Sequence, residues 1–158
     1  GEVMGFDDDF GMAIAKSQIA ASNSLPKSGL AFLSVKDTHK QEIVGIAQRL
    51  SGLGFSLSGT KGTSNTIREN GMKCKTINKL SSGSPHIVDI LNSNKISLVI
   101  NTGGGNQKHR VSDARAIRRA TLINKVPYCT NMSTAYAFLE AIKSLKTKKL
   151  SVKSLQDK

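Results

Sequence analysis

The chain is predicted to fold as an α/β domain, a parallel sheet with helices on both faces. Three observations predict it. Short apolar runs alternate with helical patterns over some 110 residues from Leu30 onward. Gly and Pro punctuate the junctions between them. The length of 158 residues and the hydrophobic content of 38 % suffice for one ordinary core.

The elements follow in order. Residues 7–21, "DDDFGMAIAKSQIAA", read as an amphipathic helix with Asp7 to Asp9 near its positive end. Residues 22–29 are rich in Ser, Asn, Pro and Gly and read as a linker. "LAFLSV" at 30–35 is a buried strand. The helix over 38–54 has Thr38 and Gln41 in capping-box spacing and Gly54 beyond its end. "FSLS" at 55–58 is the second strand, and "TSNTIRENG" at 63–71 a short helix stopped by Gly71. "KCKTIN" at 73–78 is the third strand. A helix over 84–94 has Ser84 as cap and Pro85 in its first turn. "ISLVIN" at 96–101 is the fourth strand, and "TGGGNQKHR" at 102–110 a flexible Gly-rich loop. A helix over 111–125, a fifth strand over 126–130 and a last helix over 131–145 complete the alternation.

Composition narrows the function. The formal net charge of +12 favours anionic partners such as phosphates, acidic surfaces or nucleic acid. Only seven aromatics are present, five Phe and two Tyr, and none clusters with the basic runs. A base-stacking platform for single strands therefore finds little support. No segment reaches the roughly 18 consecutive apolar residues of a membrane span. The opening lacks a basic stretch followed by an apolar run, so it does not read as a secretory signal. It also lacks an initiator Met, as a fragment or a processed product would. Cys74 and Cys129 form no metal-type spacing. Reduced thiols in strands and a cytoplasmic setting are expected, with no metal site.

In such folds ligands bind beyond the carboxyl ends of the strands. There Thr60 and Thr63 bracket Lys61 and Gly62 where a helix opens. Free N–H groups, the helix dipole and two hydroxyls suit a phosphate. The same two threonines could instead cap the helix and close a turn. The stretch matches neither the Walker loop nor the dinucleotide fingerprint. Lys40 lies in the first turn of its helix, against the dipole, which invites a reason, although a lone lysine there is more often a solvated surface residue. Lys79 follows the third strand, and Asn101 and Thr102 end the fourth ahead of Gly103, where a backbone can approach a ligand closely. His86 and Asp89, three residues apart, read as a cap-region pair. No strand end offers paired carboxylates or a nucleophile with its base. The pattern favours binding an anion over bond making.

The quoted motifs, together with GEVMG, "INK", "PHI", "INT" and "IRR", make the chain resemble the methylglyoxal-synthase-like fold. More narrowly it resembles the C-terminal allosteric domain of carbamoyl-phosphate synthase large subunits. Residues 1–28 resemble the end of the preceding ATP-grasp unit plus linker, and 29–158 the allosteric domain. The resemblance implies three layers around a five-stranded sheet in order 3-2-1-4-5. Cys74 and Cys129 would then lie on opposite edges, roughly 19 Å apart, too far for a disulfide.

It also implies that Lys40, Thr60, Thr63 and Lys79 hold the phosphate of an effector such as UMP or IMP. Asn101, Thr102 and Gly103 would contact the rest of the nucleotide, and Thr130 would lie on the interdomain side, where ornithine acts in bacterial enzymes. The whole enzyme would make carbamoyl phosphate for pyrimidine and arginine biosynthesis. It would use ATP with Mg or Mn and ammonia from a glutaminase subunit or domain. This chain would carry no cofactor and be non-catalytic alone, and homo-oligomerisation is left open. There are departures from the family. Gly103 stands where relatives often carry a hydroxyl. The absence of Trp argues against the N-acetylglutamate-activated form. A methylglyoxal synthase would need an Asp near Pro85, which leaves His109 without its partner. A lyase of that type and a basic nucleic-acid-binding domain are the alternatives.

Overall fold

The computed structural model describes residues 26, 28–78, 86–102 and 108–156, with side chains described only over 115–147 of the last stretch. Five strands, β1 (Gly29–Ser34), β2 (Phe55–Gly59), β3 (Lys75–Thr76), β4 (Leu98–Asn101) and β5 (Tyr128–Cys129), form one sheet. Its order is β3-β2-β1-β4-β5, as expected, and every pairing is parallel. The helices are α1 (Lys40–Gly52), α2 (Lys61–Glu69), α3 (Ile87–Asn92), α4 (Lys108–Ile123) and α5 (Met132–Gln156). The expected helix over 7–21, most of the linker over 22–29, and Lys79, Ser84, Pro85 and Gly103 lie outside the described residues.

Strand alternation divides the core. Ala31 and Leu33 of β1, with Leu98 and Ile100 of β4, face one side with α1 and α5. Phe32 and Val99 face the other with Ile87 and Leu91 of α3 and Ile117 of α4. β1 and β4 are buried on both faces, which explains their continuous apolar runs. The chain builds outward from β1 to β3, then returns to β4 on the other flank. The order reverses between β1 and β4, where Ser34 stands opposite Asn101.

Several boundaries differ from the sequence reading. The capping box expected from Thr38 and Gln41 does not form. A 3-10 turn, Asp37–His39, precedes α1, and His39 occupies its cap position without a side-chain bond to the helix end. Helix α2 starts at Lys61, with Thr60 rather than Thr63 in the cap position. α3 starts after His86, not Ser84. The His86 ring accepts from the Asp89 N–H and the Asp89 carboxylate accepts from the His86 N–H, so the pair is a cap. α4 already begins at Lys108, three residues before the expected start, because nothing beyond the glycines breaks it. α5 runs to Gln156 because residues 146–156 contain neither Gly nor Pro. Strands three and five shorten to two residues at the edges, where fewer ladder partners are available. Gly54 and Gly71 end their helices at φ +97° and +84° as expected.

Cys74 lies beside the β3 edge and Cys129 in β5, and both are buried free thiols. Burial pushes the Cys74 thiol up to about 11, against a smaller lowering by Arg68, and raises Cys129 well above its ordinary range. The folded chain therefore keeps thiol protons to higher pH than the unfolded chain. The associated stability is fully present below the unfolded thiol range and is lost as pH rises toward 11. The urea midpoint is expected to fall from about pH 8.5 upward, and to fall less steeply in Cys74→Ala. An equal slope in that variant would exclude Cys74 as the cause.

Gly59 supplies a second test. A Cβ there would lie 2.5 Å from the Leu33 carbonyl oxygen of the adjacent strand. Backbone cannot yield as a side chain can. Gly59→Ala should destabilise the chain by about 1–3 kcal/mol in urea unfolding.

Candidate anion-binding site

The site begins where β1 runs out of ladder partners. Buried backbone groups must still be satisfied there. The Leu33 carbonyl accepts from Thr60 N–H at 3.3 Å, and the Ser34 carbonyl from Thr102 N–H at 2.9 Å. The next two amides turn to side chains. Val35 N–H donates to Thr63 Oγ1 at 3.2 Å, and Lys36 N–H to Thr102 Oγ1 at 3.4 Å. Two threonines, one from the first turn of α2 and one from the end of β4, thus clamp the segment leaving β1.

Thr63 Oγ1 is a hub for donors. Lys40 Nζ approaches it at 3.2 Å, and the Thr60 hydroxyl lies at 3.4 Å. The same ammonium donates to the Val35 carbonyl at 3.0 Å and sits 3.9 Å from the fully exposed carboxylate of Asp37. These acceptors offset the unfavourable position of Lys40 at the head of a helix. A Cβ on Gly62 would come within 3.3 Å of Lys40 Nζ, so the ammonium lies against the first turn of α2. Ser64 N–H already closes onto the Thr60 carbonyl at 2.7 Å. Helix geometry leaves the earlier N–H groups, of Lys61, Gly62 and Thr63, without partners inside the helix. Hydroxyls, amides and one part-buried cation therefore meet at the opening of α2, an arrangement suited to an anion.

The β4 side contributes Asn101 and Thr102, both buried. Asn101 Nδ2 donates to the Tyr128 hydroxyl at 3.4 Å. Burial raises the Tyr128 phenol above its ordinary range, partly opposed by the bond from Asn101, so it stays protonated at neutral pH. Thr130 is exposed one residue past β5, with β4 between it and β1. The structure brings Lys40, Thr60 and Thr63 into direct contact, and sets Asn101 and Thr102 at the adjoining strand end. Lys79 and Gly103 fall outside the described residues. Sequence reasoning passed over His39, whose Nδ1 lies 3.0 Å from Thr102 Oγ1. Its place beside Lys40 was the available signal.

Comparison with known proteins gives four findings. A family model described as "MGS-like domain" matches residues 42–130. The carbamoyl phosphate synthase large chain of Mesorhizobium japonicum is 46 % identical over 157 residues, covering 99 % of this chain and 13 % of that protein. The "C-terminal section" of the corresponding large chain from Methanopyrus kandleri is also 46 % identical, covering 99 % of this chain and 29 % of that one. This chain therefore spans a minor part of the length of these relatives. The crystal structure of methylglyoxal synthase from Elizabethkingia anophelis shares the fold, with a TM-score of 0.59 and 22 % identity, over 74 % of this chain and 80 % of that chain.

The hydroxyl hub yields a stability test. Thr63→Val keeps the shape but removes the acceptor of the buried Val35 N–H. It should cost about 1–3 kcal/mol in urea unfolding. Thr63→Ser keeps the oxygen and loses one buried methyl, about 0.8 kcal/mol. Equal costs would mean that packing, not hydrogen bonding, fixes Thr63.

Proposed function

This chain belongs to the MGS-like domain family, and from that membership we propose that it is the effector-sensing section of a carbamoyl-phosphate synthase large chain. It binds a phosphorylated effector of the UMP or IMP kind and controls ATP-dependent carbamoyl phosphate synthesis by the remainder of the enzyme. The carrying observation is the convergence of the Lys40 ammonium and the Thr60 and Thr63 hydroxyls at the N-terminus of α2. A phosphate bound there meets helix N–H groups, hydroxyl donors and a cation. Lys79 completes the phosphate ligands. Asn101, Thr102 and Gly103 contact the nucleoside, and Thr130 serves the interdomain side.

In this reading residues 1–28 end the preceding ATP-grasp unit and 29–158 form the regulatory domain. The chain alone carries no cofactor and performs no catalysis. ATP, with Mg or Mn, and glutamine-derived ammonia are handled by the remainder of the large chain and by a glutaminase subunit or domain, in the cytoplasm, for pyrimidine and arginine biosynthesis. The character of the cluster supports a sensing role. Its close contacts join hydroxyls, amides and an ammonium, and the nearby Asp37 carboxylate points into solvent. Among the described residues no helix is long and apolar enough to cross a membrane.

Calorimetry with UMP, IMP and UTP tests the proposal. At least one should bind, more weakly as salt rises. Lys40→Ala should lose about 1.5–3 kcal/mol of binding, roughly 10- to 150-fold. Dihydroxyacetone phosphate should not be turned over. A folded chain that binds none of the three nucleotides would overturn the reading.

A further inference from the structure

The outer face of α4 departs from an ordinary solvated helix surface. Ile117, Ala120 and Thr121 turn inward and are buried. Arg115, Arg118, Arg119 and Leu122 share the opposite side at spacings of three and four, and Ile123 adjoins them. Leu122 and Ile123 are 68 % and 67 % exposed, and among the described residues they are the two large apolar side chains left in water. The three arginines are exposed too, and among the described residues none of them forms an ion pair. Two apolar anchors beside three uncompensated guanidinium groups suit a partner that is acidic and apolar at once.

Such a segment lies in this chain. Glu2, Asp7, Asp8 and Asp9 are four of its 11 acidic residues, and no Lys or Arg precedes Lys16. Phe6, Phe10 and Ile14 follow at spacings of four, in and beside the helix expected over 7–21, which lies outside the described residues. The tether is long enough. Ser97 N–H donates to the Leu30 carbonyl at 2.8 Å, Val99 N–H to the Pro127 carbonyl at 3.0 Å, and Val126 N–H to the Thr121 carbonyl at 2.8 Å. The start of β1 therefore lies two strand spacings, roughly 10 Å, from the start of β5 and the end of α4. Residues 22–28, roughly 25 Å when fully extended, span that gap and one helix diameter of about 10–12 Å.

We propose that the outer face of α4, from Arg115 to Ile123, is the docking surface for residues 2–14 of the same chain. The carboxylates meet the arginines, and Phe6, Phe10 and Ile14 cover Leu122 and Ile123. Rival occupants fit less well. A nucleic-acid backbone takes the arginines and leaves the two apolar side chains in water. A second copy in a two-fold contact sets arginine against arginine. The contact is separate from the anion site and does not depend on the sensor reading. Joined to that reading, in which residues 1–28 end the preceding unit, it fixes that unit to the helix that follows the Asn101–Thr102 end of β4.

The chain contains no Trp, so Phe10→Trp gives an emission signal from the segment alone. In the 158-residue chain that tryptophan should emit at short wavelength and resist acrylamide quenching. Adding Arg118→Glu with Arg119→Glu, or Leu122→Ser with Ile123→Ser, should make it several-fold more quenchable. Asp7→Arg with Asp8→Arg should restore protection to the arginine-reversed chain. In wild type, nuclear Overhauser contacts should join the Phe10 ring to methyls of Leu122 or Ile123, a measurement that needs no variant to fold. Absence of those contacts, a tryptophan fully open to quencher, or protection unmoved by the α4 variants overturns the proposal. Protection that grows with protein concentration also overturns it, in favour of a second copy. None of these outcomes bears on nucleotide binding, which calorimetry decides separately.

Discussion

The backbone leaving β1 has to satisfy two amides beyond its ladder, and two threonine hydroxyls do so. Val35 N–H is taken by Thr63 and Lys36 N–H by Thr102. An unsatisfied buried amide costs about 1–3 kcal/mol, so Thr63, which takes the buried Val35 N–H, is fixed by the fold before any ligand enters, while Thr102 holds the part-buried Lys36 N–H beside it. Thr63 must sit in the first turn of α2, and Thr102 directly after β4. Gly59 permits the required approach, because any side chain there would meet the Leu33 carbonyl. The reversal of strand order between β1 and β4 then opens at a point already lined with hydroxyls.

The same oxygens are thereby prepared for a second use. A threonine hydroxyl that accepts from a backbone amide still has a proton to donate. Thr63, with donors gathered around its oxygen, is held as an acceptor by the protein. An anion arriving at the proposed site would be met by groups that need little reorganisation, the condition under which polar contacts contribute most to binding. In the proposed sensor, folding and ligand recognition would draw on one set of hydrogen bonds. A variant at Thr63 would then act on both, and stability and binding must be measured together to separate them.

Much of the fold was legible because alternation between strands and helices is a local, periodic signal. The sheet order was not periodic information. It came from the family resemblance and agrees with the observed order β3-β2-β1-β4-β5. Local capping rules misplaced three helix starts, those of α1, α2 and α3. Thr38 and Gln41 have the right spacing, yet the 3-10 turn that carries His39 toward Thr102 starts α1 later. Thr63 resembled a cap, yet its hydroxyl is engaged by Val35, 28 residues earlier. Contacts of that range leave no trace in a short window. Lys40 was legible for the opposite reason. A cation against a helix dipole is a local anomaly, and its resolution by Val35 and Thr63 is the kind of contact the anomaly predicts.

The contrast between Lys40 and Lys61 shows what distinguishes a charge held by the fold from a surface charge. Lys61 stands inside the sequence motif, at the head of α2, but is exposed. An exposed charge interacts through water and salt, and such contacts are commonly worth less than about 1 kcal/mol. Lys40 is remote in sequence, yet its ammonium is part-buried and oriented by two acceptors. Lower local polarizability strengthens its field, and orientation removes the entropy cost of placing it. The abundant basic residues of the chain can draw anions toward the surface in general. In the proposed sensor, discrimination for a phosphate at the strand ends would fall to the charge that the fold has partly withdrawn from water.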